Sequence, residues 1–582
     1  MDNIVFLIFR RMRRPLLTLV VVYSISVIGL TLIPGRDADG NVWHMGFFHA
    51  FYFVSYTSTT IGFGEIPYPF TDAQRIWVTL SLYMSVVAWL SAAGNILTLL
   101  QDKTFQEALR ERRFAARVKE IKEPFYLICG YGETGRELTI SLTDRGKHAV
   151  VIDIDEEQTN LIKLQNLRDY VPSLHADARI PMHLLEAGLK LENCAAVVAL
   201  TDDNESNLKI AITSKLLHPD IEVICRADSH DIEANMASFG TDYIIDPFDT
   251  FARYLSIALQ MPGLYLLHRW FTERESCEWI TATENENAEL PEPVYPPAHG
   301  HWIICGYGRF GKALYDRLSK EEMSITVVEA TPEQTGEPKE GVIHGRGTEA
   351  DTLQAAGIEN AAGIVAGTDN DANNLSIVMT AKALNSDLFV IARQNRRQNK
   401  ALYQEVGADM VMWASAIIAD RIRVLLTTPM LYQFMSLSTY EDDAWACDLI
   451  SRTIGLVSNS NTVPVMQEIS LRSDPYRGVC EALEQGERVC LSDIMRDASD
   501  RDRYLDCIAL MLQRRGSTQL LPAIDTDLHV GDKLLFTGSQ RAFTYMSWTL
   551  RNRDTLEYVK TGIERSSSWL WKKMFGAGNG HA

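Results

Sequence analysis

Two long uncharged segments near the start of the chain restrict its fold more than any other feature. Pro15 to Ile33 is nineteen residues without a charged side chain, and Ile76 to Leu100 is twenty-five. A helix of about 20 apolar residues crosses the roughly 30 Å hydrocarbon layer of a bilayer. The first segment is too long for the apolar part of a signal peptide and has no small-residue cleavage site after it. The sequence therefore predicts two membrane spans.

Basic residues flank these spans on one side of the predicted membrane. Only Arg36 and Arg75 are basic between the two spans. Because Lys and Arg collect on the cytoplasmic side, we expect both termini in the cytoplasm and the intervening loop outside the cell (inner) membrane. The flanking basic residues are Arg10, Arg11, Arg13 and Arg14 before the first span, and Arg110, Arg112, Arg113, Arg117 and Lys119 after the second.

The rest of the chain is acidic. Residues 1–123 carry 13 Lys and Arg against 10 Asp and Glu, whereas residues 124–582 carry 43 against 65. A net charge of −19 for the whole chain argues against a general nucleic-acid binder. The asymmetry predicts that one end meets a lipid bilayer and the other forms an acidic soluble body.

The segment between the spans ends in an unusual polar run. Residues 40–64 are uncharged and close with Thr57-Ser58-Thr59-Thr60-Ile61-Gly62-Phe63-Gly64, followed by Glu65. A third crossing would place the acidic body outside, so a re-entrant segment lining a protein-enclosed path fits better. Alternating glycines let successive carbonyls face a narrow axis, where they replace the water shell of a cation, and Thr60 can add its hydroxyl.

This run resembles the potassium-channel selectivity filter, TxxTxGYG followed by Asp. The resemblance implies a filter formed by Thr60, Ile61, Gly62, Phe63 and Gly64, with K⁺ as the permeant ion bound at the first four of these residues. It also implies four chains around one pore. Phe63 replaces Tyr and Glu65 replaces Asp, but no carbonyl is lost, so we expect potassium selectivity with altered inactivation. Gly94, low in the second span, is either a gating hinge or a site of close helix packing.

A charged helical linker, Gln101 to Glu123, precedes a different pattern. Short apolar runs then alternate with amphipathic stretches, which predicts βαβ units and a parallel sheet. The first run, Phe125 to Cys129, leads into a GxGxxG motif, and the next run ends in Asp153. The glycines of this dinucleotide-binding fingerprint are Gly130, Gly132 and Gly135. They allow a pyrophosphate to approach a helix N-terminus, while Asp153 can accept both ribose hydroxyls.

The same pattern occurs a second time. A strand-like run ending in Cys305 leads into Gly306, Gly308 and Gly311, and Glu329 ends the following run. The glycine motifs are 176 residues apart and later landmarks 167, so the second copy is shorter by nine residues between them. Arg226 and Asp242 correspond in this way to Arg393 and Asp409, which indicates an internal duplication.

The repeat resembles the RCK domain, also called KTN or TrkA-N, and the whole chain resembles prokaryotic ligand-gated potassium channels with tandem RCK domains. The resemblance implies an α-helical two-span pore domain with a re-entrant selectivity filter, duplicated α/β Rossmann-like RCK domains and an α+β C-terminal lobe. It also implies a homotetramer with a ring of eight RCK domains. The expected boundaries are 1–103 for the pore, 104–123 for the helical linker, 124–298 and 299–436 for the two RCK domains, 437–545 for the C-terminal lobe and 546–582 for a tail.

The two copies differ in the residues available to a ligand. Asp153 and Glu329 favour an unphosphorylated ribose, so NAD(H) or an adenine nucleotide is the expected regulatory ligand. Asp177 matches a family position that can bond the adenine amine, and Arg346 replaces it in the second copy. Arg309 lies in the second glycine loop where the first has Glu133, and an arginine assists phosphate binding whereas a glutamate opposes it. The second loop is therefore expected to suit phosphate better and the first to suit adenine better. The glycine loops can also serve only for tight strand–helix packing.

Three alternatives remain open. Calcium gates some relatives, but Arg226 interrupts the acidic group that binds it there. The carboxylate clusters Asp153 to Glu157 and Asp369/Asp371 can also hold a hard cation, although such runs are more often solvated loops. A membrane-anchored NAD-dependent oxidoreductase would need a catalytic acid or base beside the nicotinamide, and we expect no enzyme. A regulatory subunit of a potassium transporter would not need its own filter. The aromatic, basic stretch 566–575 is either a membrane-surface contact or, as the more ordinary interpretation, a helix docked on the ring.

Overall fold

The computed structural model describes residues 2–227, 230–272, 296–321, 323–457, 464–472 and 474–563. The chain forms two compact units, Met1–Lys122 together with Glu186–Gly188, and Glu123–Leu185 together with Leu189–Ala582. The basic stretch 566–575 and most of the connector before residue 296 lie outside the described residues.

The first unit contains both predicted spans. Two of its helices are long and apolar enough to cross a membrane, over Met12–Leu32 and Asp72–Thr98, which confirms the two apolar segments. They pack closely where a side chain at Gly29 would overlap the Trp77 indole, and Trp77 Nε1 donates to Ser26 O at 3.1 Å. The elements are α1 (Asp2–Leu32), β1 (Gly35–Arg36), β2 (Val42–Trp43), α2 (Phe47–Ser58), α3 (Asp72–Gln101) and α4 (Lys103–Glu120).

The second unit begins with an α/β lobe, the first lobe. Its six parallel strands lie in the order β5-β4-β3-β6-β7-β8, the arrangement that the βαβ pattern predicts. The elements are β3 (Phe125–Cys129), α5 (Glu133–Asp144), β4 (His148–Asp153), α6 (Glu156–Leu164), β5 (Ser173–His175), α7 (Pro181–Glu186), β6 (Cys194–Ala199), α8 (Asn204–Leu217), β7 (Glu222–Arg226), α9 (His230–Ser238), β8 (Tyr243–Ile245), α10 (Pro247–Gln260) and α11 (Pro262–Thr272).

The second lobe repeats this topology, with parallel strands in the order β11-β10-β9-β12-β13-β14. The duplication is confirmed in detail, because Asn207 and its equivalent Asn374 make the same hydrogen bonds to the strand ends around them. The elements are β9 (His301–Cys305), α12 (Arg309–Leu318), β10 (Ser324–Glu329), α13 (Pro332–Thr335), β11 (Val342–His344), α14 (Ala350–Ala355), β12 (Ala361–Ala366), α15 (Asp371–Leu384), β13 (Phe389–Gln394), α16 (Lys400–Glu405), β14 (Met410–Trp413), α17 (Ala414–Thr427) and α18 (Pro429–Ser438).

The two lobes exchange helices. Phe248, Phe251 and Leu255 of α10 lie in the core of the second lobe. Ile418 and Ile422 of α17 lie in the core of the first. Each lobe therefore completes its apolar core with a helix that follows the other lobe's sheet, and the pair is one packing unit.

The chain ends in a lobe with a four-stranded antiparallel sheet, in the order β15-β18-β16-β17, flanked by helices. It packs against α11 and α18 in one apolar core, so a single C-terminal lobe contacts the last helix of both copies. The elements are α19 (Asp443–Val457), β15 (Val465–Ser470), α20 (Arg477–Glu484), α21 (Leu491–Ile494), β16 (Cys507–Arg514), β17 (Ser517–Leu520), β18 (Lys533–Gly538), α22 (Gln540–Arg551) and α23 (Arg553–Thr561).

Candidate functional site

The segment that resembles a filter, residues 60–64, has an alternating backbone. Thr60, Gly62 and Gly64 have φ values of 64°, 67° and 92°, whereas Ile61 and Phe63 between them do not have positive φ. Such alternation turns successive peptide planes so that their carbonyls align along one side of the strand. A threonine with positive φ is uncommon and marks a constrained site. The five residues are exposed in the single chain, as a segment that faces other copies would be.

Tyr56, in the last turn of α2, contacts this segment at both ends. Its main-chain oxygen accepts hydrogen bonds from the N–H groups of Ile61 at 3.0 Å and Gly62 at 3.4 Å. Its hydroxyl donates to the carbonyl oxygen of Gly64 at 2.6 Å, and its ring meets that of Phe63 edge to face. The sequence reasoning did not single out Tyr56, although it directly precedes the polar run that carries the motif.

An ion pair follows the segment. Arg75 donates to both carboxylate oxygens of Glu65, at 2.9 and 3.2 Å, and the N–H of Phe70 donates to the same group at 2.8 Å. These hydrogen bonds, that of Arg75 first, hold the pKa of Glu65 below its usual value. The Glu65 carboxylate therefore stays charged and fixes the turn that leads from the segment into α3.

Gly94 lies inside α3, which passes through it without interruption. A side-chain carbon at Gly94 would meet no atom of the described chain within 4 Å. Packing within one subunit therefore does not require this glycine, and its role as a hinge stays a prediction.

The three positions of each nucleotide motif are occupied by glycine for different structural reasons. A Cβ at Gly135 or at Gly311 would lie 2.0 Å from the carbonyl oxygen of Gly130 or Gly306, so close strand–helix packing requires the third glycine. The first glycine has a positive φ, 104° at Gly130 and 97° at Gly306.

The second glycine has neither reason. Gly132 and Gly308 have φ values of −68° and −69° and would meet no described atom within 4 Å. Each lies at a helix N-terminus, beside open space. This is the position at which a phosphate approaches the backbone in dinucleotide-binding folds.

Asp153 and Glu329 each hold the glycine loop of their own lobe through a hydrogen bond from its backbone. Asp153 accepts from the N–H of Tyr131 at 2.5 Å, and Glu329 accepts from the N–H of Tyr307 at 2.5 Å. Burial alone would raise the pKa of Glu329, but N–H donors from Thr331 and Tyr307 hold this pKa below its usual value. A carboxylate has about four acceptor positions. Asp153 also accepts from the N–H of Asp155 and keeps capacity for ribose hydroxyls, whereas Glu329 also accepts from the N–H and the hydroxyl of Thr331 and has less capacity left.

Asp177 is already paired. The guanidinium of Arg179 donates to both of its oxygens at 2.8 to 3.0 Å and holds the pKa of Asp177 below its usual value. An adenine amine would have to share this carboxylate with Arg179. Its second-copy counterpart Arg346 is exposed.

A cavity of about 260 Å³ lies where the two lobes meet. It brings the first glycine loop beside residues of the second copy, whereas the predicted residues Asp153, Asp177 and Glu329 do not line it. Three arginines, Arg226, Arg309 and Arg393, line it together with Glu133 and Asp202. Asp202 is paired with Arg226 at 3.1 Å. The other lining residues are Gly132, Thr134, Leu200, Phe248, Gln394, Asn395, Ala414 and Ser415.

The cavity is asymmetric because Phe248 and Ser415 occupy equivalent positions, 167 residues apart, at the starts of α10 and α17. Phe248 is buried against Phe310, and the guanidinium carbons of Arg309 and Arg393 lie 5.4 and 5.1 Å from its ring centroid. The small Ser415 leaves the corresponding space beside the first loop open. Sequence reasoning missed this pair, although the 167-residue offset aligns them.

Among the described residues, no group of three or more His, Cys, Asp or Glu side chains is placed to hold a metal ion. Asp371, one of the carboxylates considered for calcium, instead accepts hydrogen bonds from Asn395, Asn399 and Tyr403. The calcium alternative therefore has no support in this part of the chain.

Comparison with known families agrees with this division. The ion channel family matches residues 16–102, and the TrkA-N domain family matches residues 126–247 and 302–413. The chain thus carries an ion-channel segment and two TrkA-N domains, the second family being the one that the repeat resembles.

Individual relatives match part of the chain. An uncharacterized protein of Methanothermus fervidus is 27% identical over 39% of this chain and 35% of its own length. Potassium channel protein 1 of Methanocaldococcus jannaschii is 24% identical over 41% and 68%, and the voltage-gated potassium channel Kch of Escherichia coli is 22% identical over 34% and 46%. The chain spans between 35% and 68% of the length of these three relatives. A solved structure, "GsuK channel bound to NAD", covers 94% of this chain and 99% of its own at 16% identity and a TM-score of 0.46.

Proposed function

We propose that this chain, which joins an ion-channel segment to two TrkA-N domains, is the subunit of a potassium-selective channel gated by a cytoplasmic nucleotide. The alternating backbone of residues 60–64 is the observation that carries the proposal. A row of aligned carbonyls between two apolar helices is what selective K⁺ conduction needs. The names of the relatives from M. jannaschii and E. coli support the choice of ion.

Assembly follows from the same segment. One chain supplies one row of carbonyls, and a ring that replaces the hydration shell of K⁺ needs several rows around an axis. We infer a homotetramer with both termini and the acidic lobes on the cytoplasmic side. Exposed apolar side chains along α1 and α3, among them Val20 and Ile76, support contact of these helices with lipid.

The nucleotide site is assigned to the first glycine loop. The N-terminus of α5 and Gly132 lie at the cavity, and Arg309 and Arg393 add positive charge from the second copy. The small Ser415 lies beside this loop, whereas the larger Phe248 occupies the equivalent position at the second loop. The expected ligand is NAD(H) or an adenine nucleotide, with Asp153 at the ribose. One ligand then contacts both lobes.

Gating follows from where this ligand binds. A nucleotide shifts the channel between two states only by its difference in affinity for them. A cavity lined by both lobes provides such a difference, because a small movement of one lobe against the other changes the distance between Gly132 and Arg309. The helical linker α4 continues from the second span and connects the two units along the chain.

Single-channel recording of the purified protein in planar lipid bilayers tests the proposal. NAD, NADH, ATP and ADP are titrated separately, with calcium as a control, and one nucleotide should change the open probability of a K⁺-selective current. Gly132→Ala should abolish this response, because its methyl group occupies the space assigned to the phosphate. Gly308→Ala is the matched control and should retain the response. Neither methyl group meets a described atom, so both variants should fold.

Three outcomes would separate the alternatives. Absence of K⁺ current under all conditions would overturn the channel assignment. Consumption of NADH with an added substrate would favour the oxidoreductase. Loss of the nucleotide response in Gly308→Ala but not in Gly132→Ala would move the site to the second loop. Gly62→Ala, which forces a side chain onto a positive φ, should disturb K⁺ selectivity and leave nucleotide binding intact.

A further inference from the structure

Tyr56 supplies the hydroxyl that the filter segment lacks. In the pattern that this run resembles, an aromatic residue of the filter carries a hydroxyl, but Phe63 has none. The structure places a hydroxyl on the opposite partner, because the Tyr56 side chain of α2 donates to the Gly64 carbonyl oxygen at 2.6 Å. This hydrogen bond connects the helix to the segment, with the donor on the helix and the acceptor on the segment.

The Tyr56 ring is held in place by its neighbours. It is only 4% exposed and contacts the rings of Tyr52 and Phe53 at 5.3 and 5.2 Å between centroids. Phe53 in turn packs against Phe70, beyond the segment. A ring fixed on both sides directs its hydroxyl with little freedom, so the hydrogen bond costs little conformational entropy to form.

The acceptor is equally informative. A carbonyl oxygen that accepts a hydrogen bond from α2 points toward that helix. The Gly64 oxygen is therefore turned away from the row of carbonyls formed by residues 60–63. The hydrogen bond therefore fixes the backbone turn at which the row of ion-coordinating carbonyls ends. Through its main-chain oxygen Tyr56 also accepts from Ile61 and Gly62, so one residue holds the inner and outer parts of the segment.

We propose that Tyr56 is a positioning residue that keeps the outer end of the filter in its conducting form. The inference rests on the proposed channel function. Without the hydroxyl, the Gly64 carbonyl loses its partner, and the peptide that follows Gly64, at the outer end of the row, is free to rotate. K⁺ in the filter favours the aligned carbonyls, so occupancy by the ion counteracts the loss.

Tyr56→Phe tests this in recordings of the full-length channel in lipid bilayers. The ring contacts are kept, and the mean duration of conducting bursts should fall about tenfold, the effect of losing one buried hydrogen bond. Raising external K⁺ should lengthen the bursts of the variant more than those of the wild type. Tyr52→Phe is the matched control, because the exposed Tyr52 contacts the Tyr56 ring and makes no hydrogen bond among the described residues.

The outcomes are distinct. Unchanged bursts in Tyr56→Phe, or equal shortening in Tyr52→Phe, with a conducting wild type would overturn the inference and leave the proposed function intact. Shortened bursts that external K⁺ does not lengthen would also overturn it, since a general packing defect would behave in that way. A wild type without K⁺ current would overturn the proposed function and this inference with it.

Discussion

Glycines at different positions of the same motif can be required for packing or for ligand access, and substitution separates the two roles. Gly135→Ala places a methyl group 2.0 Å from a carbonyl oxygen and must move α5 away from β3. We expect it to destabilise the first lobe by about 2–3 kcal/mol, whereas Gly132→Ala should stay within about 0.5 kcal/mol. Hydrogen exchange of β3 and α5 in the purified protein measures both. Equal exchange in the two variants would contradict the assignment of these glycines.

A buried ion pair holds the last strand of the C-terminal lobe. Asp532 is 1% exposed, accepts from Arg514 at 2.7 and 2.9 Å and caps the turn at His529. Asp532→Ala removes this carboxylate and leaves the partly exposed guanidinium only its hydrogen bond to the carbonyl oxygen of Asp527, so it should cost about 2 kcal/mol. Faster hydrogen exchange in β16 and β18 is the expected result. Asp474→Ala, whose exposed pair with Arg477 is 3.8 Å long, is the control and should change little.

The outer ion pair predicts a pH dependence. Because Arg75 lowers the pKa of Glu65, this carboxylate stays charged to a lower pH than an unpaired one. Arg75→Gln removes the largest cause of this shift and should raise the pKa of Glu65 toward that of an unpaired carboxyl, so K⁺ conductance should fall at a higher external pH than in the wild type. Asp72→Asn is the control, since the exposed Asp72 lies 3.8 Å from Arg75. Identical conductance curves for Arg75→Gln and the wild type would contradict the prediction.

Motif residues could be read from the sequence because their types and spacing are set along the chain. Gly62 and Gly132 were found in this way. Tyr56, Arg75 and Phe248 were not, because each acts through a partner that only folding brings close. An aromatic residue in an apolar run has an ordinary explanation as core, and nothing in the spacing distinguishes one that donates a hydrogen bond.

Among the elements, α11 contains a buried titratable group. His268 is 2% exposed, and its Nε2 lies 2.8 Å from Ser438 Oγ. Because the Ser438 hydroxyl donates to Met435 O, His268 Nε2 is the donor of this hydrogen bond. Burial lowers the pKa of His268 to about 4. The unfolded chain binds the proton near pH 6.5, so protons favour unfolding, and stability should fall as the pH drops from about 6.5 to 4.

At pH 5 this loss should reach about 2 kcal/mol relative to neutral pH. His268→Gln keeps a donor without a titrating group and should remove this part of the acid sensitivity. The thermal unfolding midpoint of the second unit, measured at pH 7.5 and at pH 5 for the variant and the wild type, shows how much of the acid sensitivity is due to His268. A variant as acid-sensitive as the wild type would contradict the role of His268.

Element types were easier to predict than their partners. The charged stretch after the second span predicted a helix, which is α4. The helix α11 was not predicted. Its N-terminal N–H groups, at Gly263 and Leu264, are bound by Asp443 of α19, and such a cap from 180 residues away leaves no local signal.

For the whole molecule, the constant offset between the copies revealed the duplication, and the parallel sheets followed from the βαβ pattern. The exchange of α10 and α17 did not follow, because a repeat in the sequence is equally consistent with two lobes that each fold on their own helix. Apolar periodicity indicates that a helix buries one face, but it does not identify the sheet that receives it. The predicted domain boundaries at residues 298 and 436 therefore separate, along the chain, lobes whose helices pack into common apolar cores.

The exchange predicts that core mutations act across the lobe boundary. Leu255 of α10 is fully buried in the second lobe's core, and Ile422 of α17 in the first lobe's. Truncation of either to alanine should cost about 2–5 kcal/mol, because each leaves a cavity. Leu255→Ala should speed hydrogen exchange in β9 and α12, and Ile422→Ala in β3 and α5. Leu216→Ala, on an exposed face of α8, should do neither. Faster hydrogen exchange confined to the lobe that precedes each helix in the chain would contradict the swap of α10 and α17 between the lobes. Because both lobes line the cavity assigned to the ligand, the swap also predicts that each variant changes the nucleotide response.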